Sequence, residues 1–302
     1  MRCSAILVTH NSGAAITACL EALGGDDCAI VVVDNDSSDD TVRRVEEFVA
    51  WHPVRLIANE QNLGFGAAVN QGARESEDDV LLLVNPDAVA APGAVSALLQ
   101  CMRDTGAAAV GGALLEEDGQ PARGFAFRRI PSLASFVCEV LLLNRLWPSN
   151  PVNRRYRYLD ADYSQQQEVE QPAGACLAIT RTAWDKLGGF DEQFYPVWFE
   201  DVDLCKRLLD AGGKIVYCPT AHFLHSGAHS VGKLSFRDKQ LFWYGNMLRY
   251  ARKHFSNGQV LILRLAIIKG MLLRSIAAVF GARKTSLRET LAAYWQVIRT
   301  VR

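Results

Sequence analysis

The chain has 302 residues, 49% of them hydrophobic and 22% charged, which excludes a disordered protein and allows one large domain, or a domain with a substantial appendage, around a proper core. A formal net charge of −1 conceals an asymmetry: residues 1–232 hold 18 basic and 31 acidic residues, a sum of −13, whereas residues 233–302 hold 14 basic residues against only Asp238 and Glu289, a sum of +12. The eight cysteines are scattered with no C-x-x-C pair, so neither a zinc knuckle nor a disulfide framework is suggested and a reducing cytosol fits.

The first apolar run, Ser4 to Val8, stops before Thr9, His10 and Asn11. It is too short for a signal-peptide core, and a cytoplasmic chain is expected. Further short apolar runs follow at Ala29 to Val33, Arg55 to Ala58 and Val80 to Val84, separated by segments long enough for crossover helices. This is how a mostly parallel α/β sheet flanked by helices reads. Two of the runs break into polar clusters, Asp34-Asn35-Asp36-Ser37-Ser38 and Asn85-Pro86-Asp87. Open α/β sheets bind ligands at the carboxyl ends of their strands, so both clusters fall where a ligand sits. From Pro121 to Tyr163 arginines (Arg123, Arg128, Arg129, Arg154, Arg155, Arg157) surround an apolar segment, Leu133 to Trp147, which reads as an insertion or flap. Regular α/β signals resume at Gly174 to Thr180 and reach the acidic segment Phe199 to Leu204. The expected division is a catalytic domain over 1–232 and a basic helical region over 233–302. Within that region Val260 to Phe280 is apolar but interrupted by Arg264, Lys269 and Arg274, so it is not expected to span a membrane.

Several residues offer chemistry, each beside a structural alternative. Asp34, after a buried strand, can accept from a pyrimidine imide N–H, but its surroundings are equally good turn and cap chemistry. Asp87 can hold Mg²⁺ or Mn²⁺ as a hard carboxylate, with Asn85 assisting, although Asn-Pro-Asp also makes an ordinary turn. Glu200, Asp201 and Asp203 crowd the start of a helix. They can supply a general base for a sugar hydroxyl, or simply complement the helix N-terminus. Phe194, Tyr195, Trp198 and Phe199 beside them can stack on a sugar or pack a core. His222, His225 and His229 are spaced suggestively for metal, and one histidine ligand is likelier chemistry here than three. Gly64-Phe65-Gly66 is no dinucleotide fingerprint, since Val69 stands in the third glycine's place, and no P-loop or G-x-S-x-G elbow occurs.

In their joint order, Ile6 to Ser12, Val31 to Asp39, Asn59 to Gly72, Leu83 to Asp87, Gly188 to Glu192, Phe199 to Leu204 and His225 resemble the family 2 glycosyltransferases over roughly residues 4 to 235. The resemblance implies a GT-A fold, a nucleotide-diphospho-sugar donor and inversion at the anomeric carbon. It places Thr9, Asn11 and Asp34 at the nucleotide, and Asn62, Gly64, Asn70 and Asn85 on the donor side. Asp87 stands for the last acid of the family's D-x-D metal motif, with Asn85 replacing the first. His225 completes the metal shell, Asp201 is the base with Glu200 beside it, and Trp198 and Asp191 face the acceptor.

A likeness to the rhamnosyl branch favours dTDP-rhamnose, ahead of UDP-sugars, and a glycan or lipid-linked acceptor in cell-envelope polysaccharide synthesis. No nucleic-acid partner is expected. The +12 tail suits an anionic membrane surface, at the inner face of the cytoplasmic membrane. The alternative function is a non-catalytic binder of sugar nucleotides or glycans.

Overall fold

A computed structural model of the chain describes residues 1–26, 28–225, 234–280 and 285–301. The first half alternates strand and helix: β1 (Cys3–Thr9), α1 (Gly13–Gly24), β2 (Ala29–Asn35), α2 (Thr41–Val49), β3 (Val54–Asn59), α3 (Phe65–Arg74) and β4 (Val80–Val84). All seven residues of β1 and all five of β4 are buried, the continuous apolar pattern of strands covered on both faces. α3 presses on this sheet through Gly72, where a Cβ would stand 2.7 Å from Ile6 Cγ2.

The chain continues through β5 (Ala88–Ala90), α4 (Ala94–Thr105), β6 (Ala109–Leu115), β7 (Phe127–Arg128), α5 (Leu133–Val140), α6 (Leu143–Leu146) and α7 (Pro151–Tyr156). Then come β8 (Gln167–Glu168), β9 (Gln171–Pro172), β10 (Cys176–Thr180), α8 (Arg181–Leu187), α9 (Glu200–Asp210) and β11 (Ile215–His225). The large sheet runs β3-β2-β1-β4-β10-β6-β11-β5, with β8 paired to β11. β3, β2, β1 and β4 are parallel, β10 is antiparallel to both β4 and β6, β6 and β11 are parallel, and β5 is antiparallel to β11. Because β10 is antiparallel, its first residue, Cys176, lies opposite Val84, the last of β4. That pairing delivers the Gly174 turn to the carboxyl end of β4. Likewise β5 sets His225 opposite Ala88, beside Asp87.

The arginine-rich segment folds onto the sheet through β7, which pairs with β9, and through Phe127, which is fully buried and stacks on Tyr163 with ring centroids 4.5 Å apart. Three helices close the described chain: α10 (Phe236–His254), α11 (Asn257–Phe280) and α12 (Leu287–Val301). Their inner faces join Phe136 and Val140 of α5 with Phe194, Phe199 and Val202 in a second apolar core. Gly270 of α11 permits the contact with α5, since a Cβ there would meet Val140 O at 2.1 Å. The opposite face of α11 is open: Leu261, Leu265, Leu272, Ile276, Val279 and Phe280 are all exposed. Among the described residues, no helix is long and apolar enough to cross a membrane.

Candidate active site

At the ends of β1 and β2 the polar cluster builds a rigid loop. Asp34, 2% exposed, accepts from Thr9 Oγ1 at 2.7 Å, from Ser37 N at 2.9 Å and from Ser37 Oγ at 2.6 Å. A carboxylate offers about four acceptor positions, so the turn role and a further bond to a ligand coexist. Asn11, with φ +54°, receives Ser38 N, Ser38 Oγ and Asp39 N on its side-chain oxygen.

Asn35, which the sequence reading left out of the site, organises the neighbouring rim. Its Nδ2 donates to Asn62 Oδ1 at 2.9 Å and to Gly64 O at 3.2 Å, while its Oδ1 accepts from Leu63 N and Asn59 Nδ2. All four hydrogen-bonding positions of a buried amide are thereby used. Gly64 precedes α3 with φ +86°, and a Cβ there would lie 2.8 Å from Tyr195 Cδ2. Between this rim and the Pro196–Val197 loop lies a cleft of about 100 Å³ lined by Val8, His10, Asn35, Asn62 and Phe65. The loop is held from both sides, by Phe65 N donating to Pro196 O at 2.7 Å and by Asn246 of α10 donating to Val197 O at 2.8 Å.

Beyond β4, Asp87 is 6% exposed and its Oδ1 stands 3.5 Å from His225 Nε2, which is buried and has no hydrogen-bond partner among the described residues. That separation is too long for a well-formed hydrogen bond. An imidazole nitrogen left unsatisfied beside a buried carboxylate suits a divalent cation with mixed nitrogen and oxygen ligands. No group of three or more His, Cys, Asp or Glu among the described residues could hold an ion, so a bound ligand would have to contribute oxygens. Phe125 stacks on His225 with centroids 5.4 Å apart and planes 11° apart. Asn85 is half-buried and its backbone N–H donates to Ala175 O. His229 lies outside the described residues.

Facing this turn, α9 begins after two successive residues in the left-handed region, Trp198 (φ +78°) and Phe199 (φ +76°). Non-glycine residues rarely adopt that conformation, and such strain gathers at functional sites. It brings two adjacent carboxyls into different surroundings. Asp201 Oδ2 accepts from Gln171 Nε2 at 3.2 Å and Gly174 N at 3.1 Å, and Oδ1 accepts from Val202 N at 2.8 Å. Burial raises its pKa, while the backbone N–H groups of Gly174 and Val202 and the Arg128 charge oppose the rise. Glu200 is 4% exposed with Oε2 unpartnered. Burial, and then the neighbouring Asp201 charge, push its pKa well above the usual carboxylate range. Burial therefore weighs more on Glu200 than on Asp201, where neighbouring donors and a cation offset part of it.

Three further residues expected at the site also make contacts within the fold. Asn70 grips the Gly189–Glu192 loop, donating to Phe190 O and Glu192 Oε1 and accepting from Phe190 N, each at 2.9 Å. Asp191 pairs with Lys253 at 2.6 Å. Trp198 meets Trp243 edge to face, 5.5 Å between centroids, at the border of the second core.

A family model described as Glycosyl transferase family 2 matches residues 4–182, and one described as N-terminal domain of galactosyltransferase matches residues 156–229. Among curated proteins, the N-acetylglucosaminyl-diphospho-decaprenol L-rhamnosyltransferase of Mycobacterium tuberculosis is 34% identical over 217 residues, 68% of each chain. Rhamnosyltransferase WbbL of Escherichia coli K12 is 24% identical over 247 residues, 79% of this chain and 88% of the other. The fold matches that of Staphylococcus aureus TarS in complex with UDP-GlcNAc, with a TM-score of 0.60 and 16% identity over 100% of this chain and 82% of that one. It also matches the mannosyltransferase PcManGT of Pyrobaculum calidifontis in complex with GDP-Man and Mn²⁺, with a TM-score of 0.57 and 15% identity over 99% and 85%.

Proposed function

The chain belongs to glycosyl transferase family 2, with a GT-A fold, and from that premise we propose that it transfers a sugar from a nucleoside diphosphate to an acceptor hydroxyl with inversion. It is a glycosyltransferase; donor, acceptor, stereochemistry and metal are the proposal. The observation that supports it best is the carboxyl pair, an Asp201 held by three donors beside a buried Glu200 whose Oε2 has no partner among the described residues, facing the carboxyl end of β4.

In this reading the nucleotide occupies the cleft beside Asn35 and Asn62, with Asp34 offering its remaining acceptor position to the base and Thr9 and Asn11 holding the loop. Asp87 and His225 would hold Mg²⁺ or Mn²⁺ next to the donor's diphosphate. When bound, that cation offsets negative charge on the diphosphate. Asp201 takes the proton of the acceptor hydroxyl as its oxygen bonds to the anomeric carbon, and the bond from that carbon to the diphosphate breaks on the opposite face. Glu200, kept protonated by burial, adds no second negative charge beside the base.

The rhamnosyltransferase relatives support dTDP-rhamnose as donor, with UDP-sugars second. The printed name of the M. tuberculosis relative supports a lipid-linked saccharide as acceptor, and hence a place in cell-envelope polysaccharide synthesis. Such an acceptor is presented at a membrane. The exposed apolar face of α11, with Lys269 exposed within it and the basic tail around it, suits the headgroup layer of an anionic bilayer. Screening nucleotide sugars for release of nucleoside diphosphate, with and without EDTA, tests the proposal. Donor binding without release or transfer under any condition would favour the non-catalytic reading.

A further inference from the structure

We infer that Arg128 is a phosphate-binding residue of the donor site, meeting the donor's diphosphate and the nucleoside diphosphate that departs. The inference rests on the glycosyltransferase reading above. Arg128 lies on β7, opposite Gln171 of β9, whose side chain bonds Asp201. Its guanidinium carbon is 5.5 Å from the centroid of Phe125, the ring that stacks on His225. One arginine therefore adjoins both halves of the site, the Asp87–His225 side and the Asp201 side. Its Nε is fixed by Gly124 O at 2.8 Å, which leaves the two Nη nitrogens for a ligand.

The next residue shows the contrast. Alternate strand residues face opposite ways, and Arg129 turns to Glu170, at 2.5 Å, and over the Tyr158 ring. Arg129 has a carboxylate partner; Arg128 has none within 4.0 Å among the described residues.

The chemistry at the end of β4 calls for such a cation. The leaving diphosphate gains negative charge as the glycosidic bond breaks, and it does so near two carboxylates, Asp87 and Asp201. A cation aimed at developing charge in a site closed to water is an effective form of transition-state stabilisation. A guanidinium suits phosphate because it donates two parallel hydrogen bonds. The charge of Arg128 also lowers the proton affinity of Asp201, so the same residue helps keep the base ionised.

The test is equilibrium binding of dTDP and UDP, and of thymidine and uridine, to the intact protein and to its Arg128→Gln and Arg128→Lys variants, with a melting temperature for each. Arg128→Gln should lose roughly tenfold or more in affinity for the nucleoside diphosphates, the scale of a charge-assisted hydrogen bond. It should bind the nucleosides as the parent does, and Arg128→Lys should recover part of the loss. Unchanged diphosphate affinity in Arg128→Gln overturns the inference, and so does an equal loss for nucleosides, which would make Arg128 a support of the cleft. A parent protein that binds no nucleoside diphosphate at all would instead overturn the donor reading on which the inference rests.

Discussion

Lys253 of α10 reaches Asp191 at 2.6 Å, tying the last turn of a tail helix to a loop 62 residues earlier in the chain. The same ammonium lies 2.9 Å from Asp203, which is fully buried and also bonded to Arg207 and His254. Lys253→Met should destabilise the protein by about 1–3 kcal/mol in urea unfolding, less than the loss of a sole buried partner because Arg207 and His254 remain. It should also change the KM for acceptor, through the freed Asp191, more than that for donor. An unaltered unfolding midpoint would show that the bridge contributes nothing.

Asp87→Ala and His225→Ala should each weaken Mn²⁺ binding, followed by electron paramagnetic resonance in the presence of UDP or dTDP, by ~10-fold or more. Asp87→Ala should be nearly inactive at any donor concentration. Full activity of Asp87→Ala, or of the parent in EDTA, would remove the metal from the reaction.

Asp201→Asn should fold and bind donor while kcat falls at least ~10²-fold, the scale for a positioned general base. Glu200→Gln should be milder, because burial already disfavours the ionised form of the carboxyl it replaces. The reverse order would make Glu200 the base.

Glu200 also sets a pH dependence of stability. Its folded pKa is raised above the unfolded value of about 4.3, so the folded state holds the extra proton between the two. The stabilisation is fully present below the unfolded pKa and is lost as pH rises through the folded one. Melting temperature should therefore decline from about pH 4.5 upward in the parent and decline less in Glu200→Gln. Parallel curves for the two proteins would contradict the assignment. The acid limb belongs to Asp203, whose pKa is lowered to about 2: burial works against that shift, and the His254 and Lys253 hydrogen bonds and the Arg207 charge override it. Its contribution is present above about pH 4 and lost as pH falls through 2.

The intact protein should sediment with anionic liposomes at low salt and be released at high salt. Leu265→Gln with Ile276→Gln, both on the open face of α11, should abolish binding without lowering the melting temperature. Equal binding to neutral and anionic vesicles would refute docking by charge, and binding to neither would leave α11 without a bilayer partner.

Apolar runs at Ser4–Val8, Ala29–Val33 and Val80–Val84 marked β1, β2 and β4 to within two residues, because strands buried on both faces are continuous in sequence. The pairing of Asp87 with His225 was legible only through motif order, since 138 positions separate them and an intervening antiparallel β5 makes the contact. Asn70, placed on the donor side by the resemblance alone, also bonds Phe190 and Glu192, 120 and 122 positions away, contacts that no local pattern in the sequence encodes. Arg128 was visible only as one arginine among several. Its two-residue strand, and the absence of a carboxylate beside it among the described residues, come from tertiary pairing.

The second core has a consequence for synthesis of the chain. Phe194, Phe199 and Val202, which seat the start of α9, belong to one apolar cluster with side chains as late as Val297, Ile298 and Val301. A nascent chain emerging from the ribosome in order can condense the sheet around β1, β2 and β4 early, yet the apolar cluster at the start of α9 stays incomplete until the last described turn is made. Condensation of this second core should thus lag behind that of the sheet, and termination within α10 to α12 should leave apolar surface exposed and the product open to quality-control proteases.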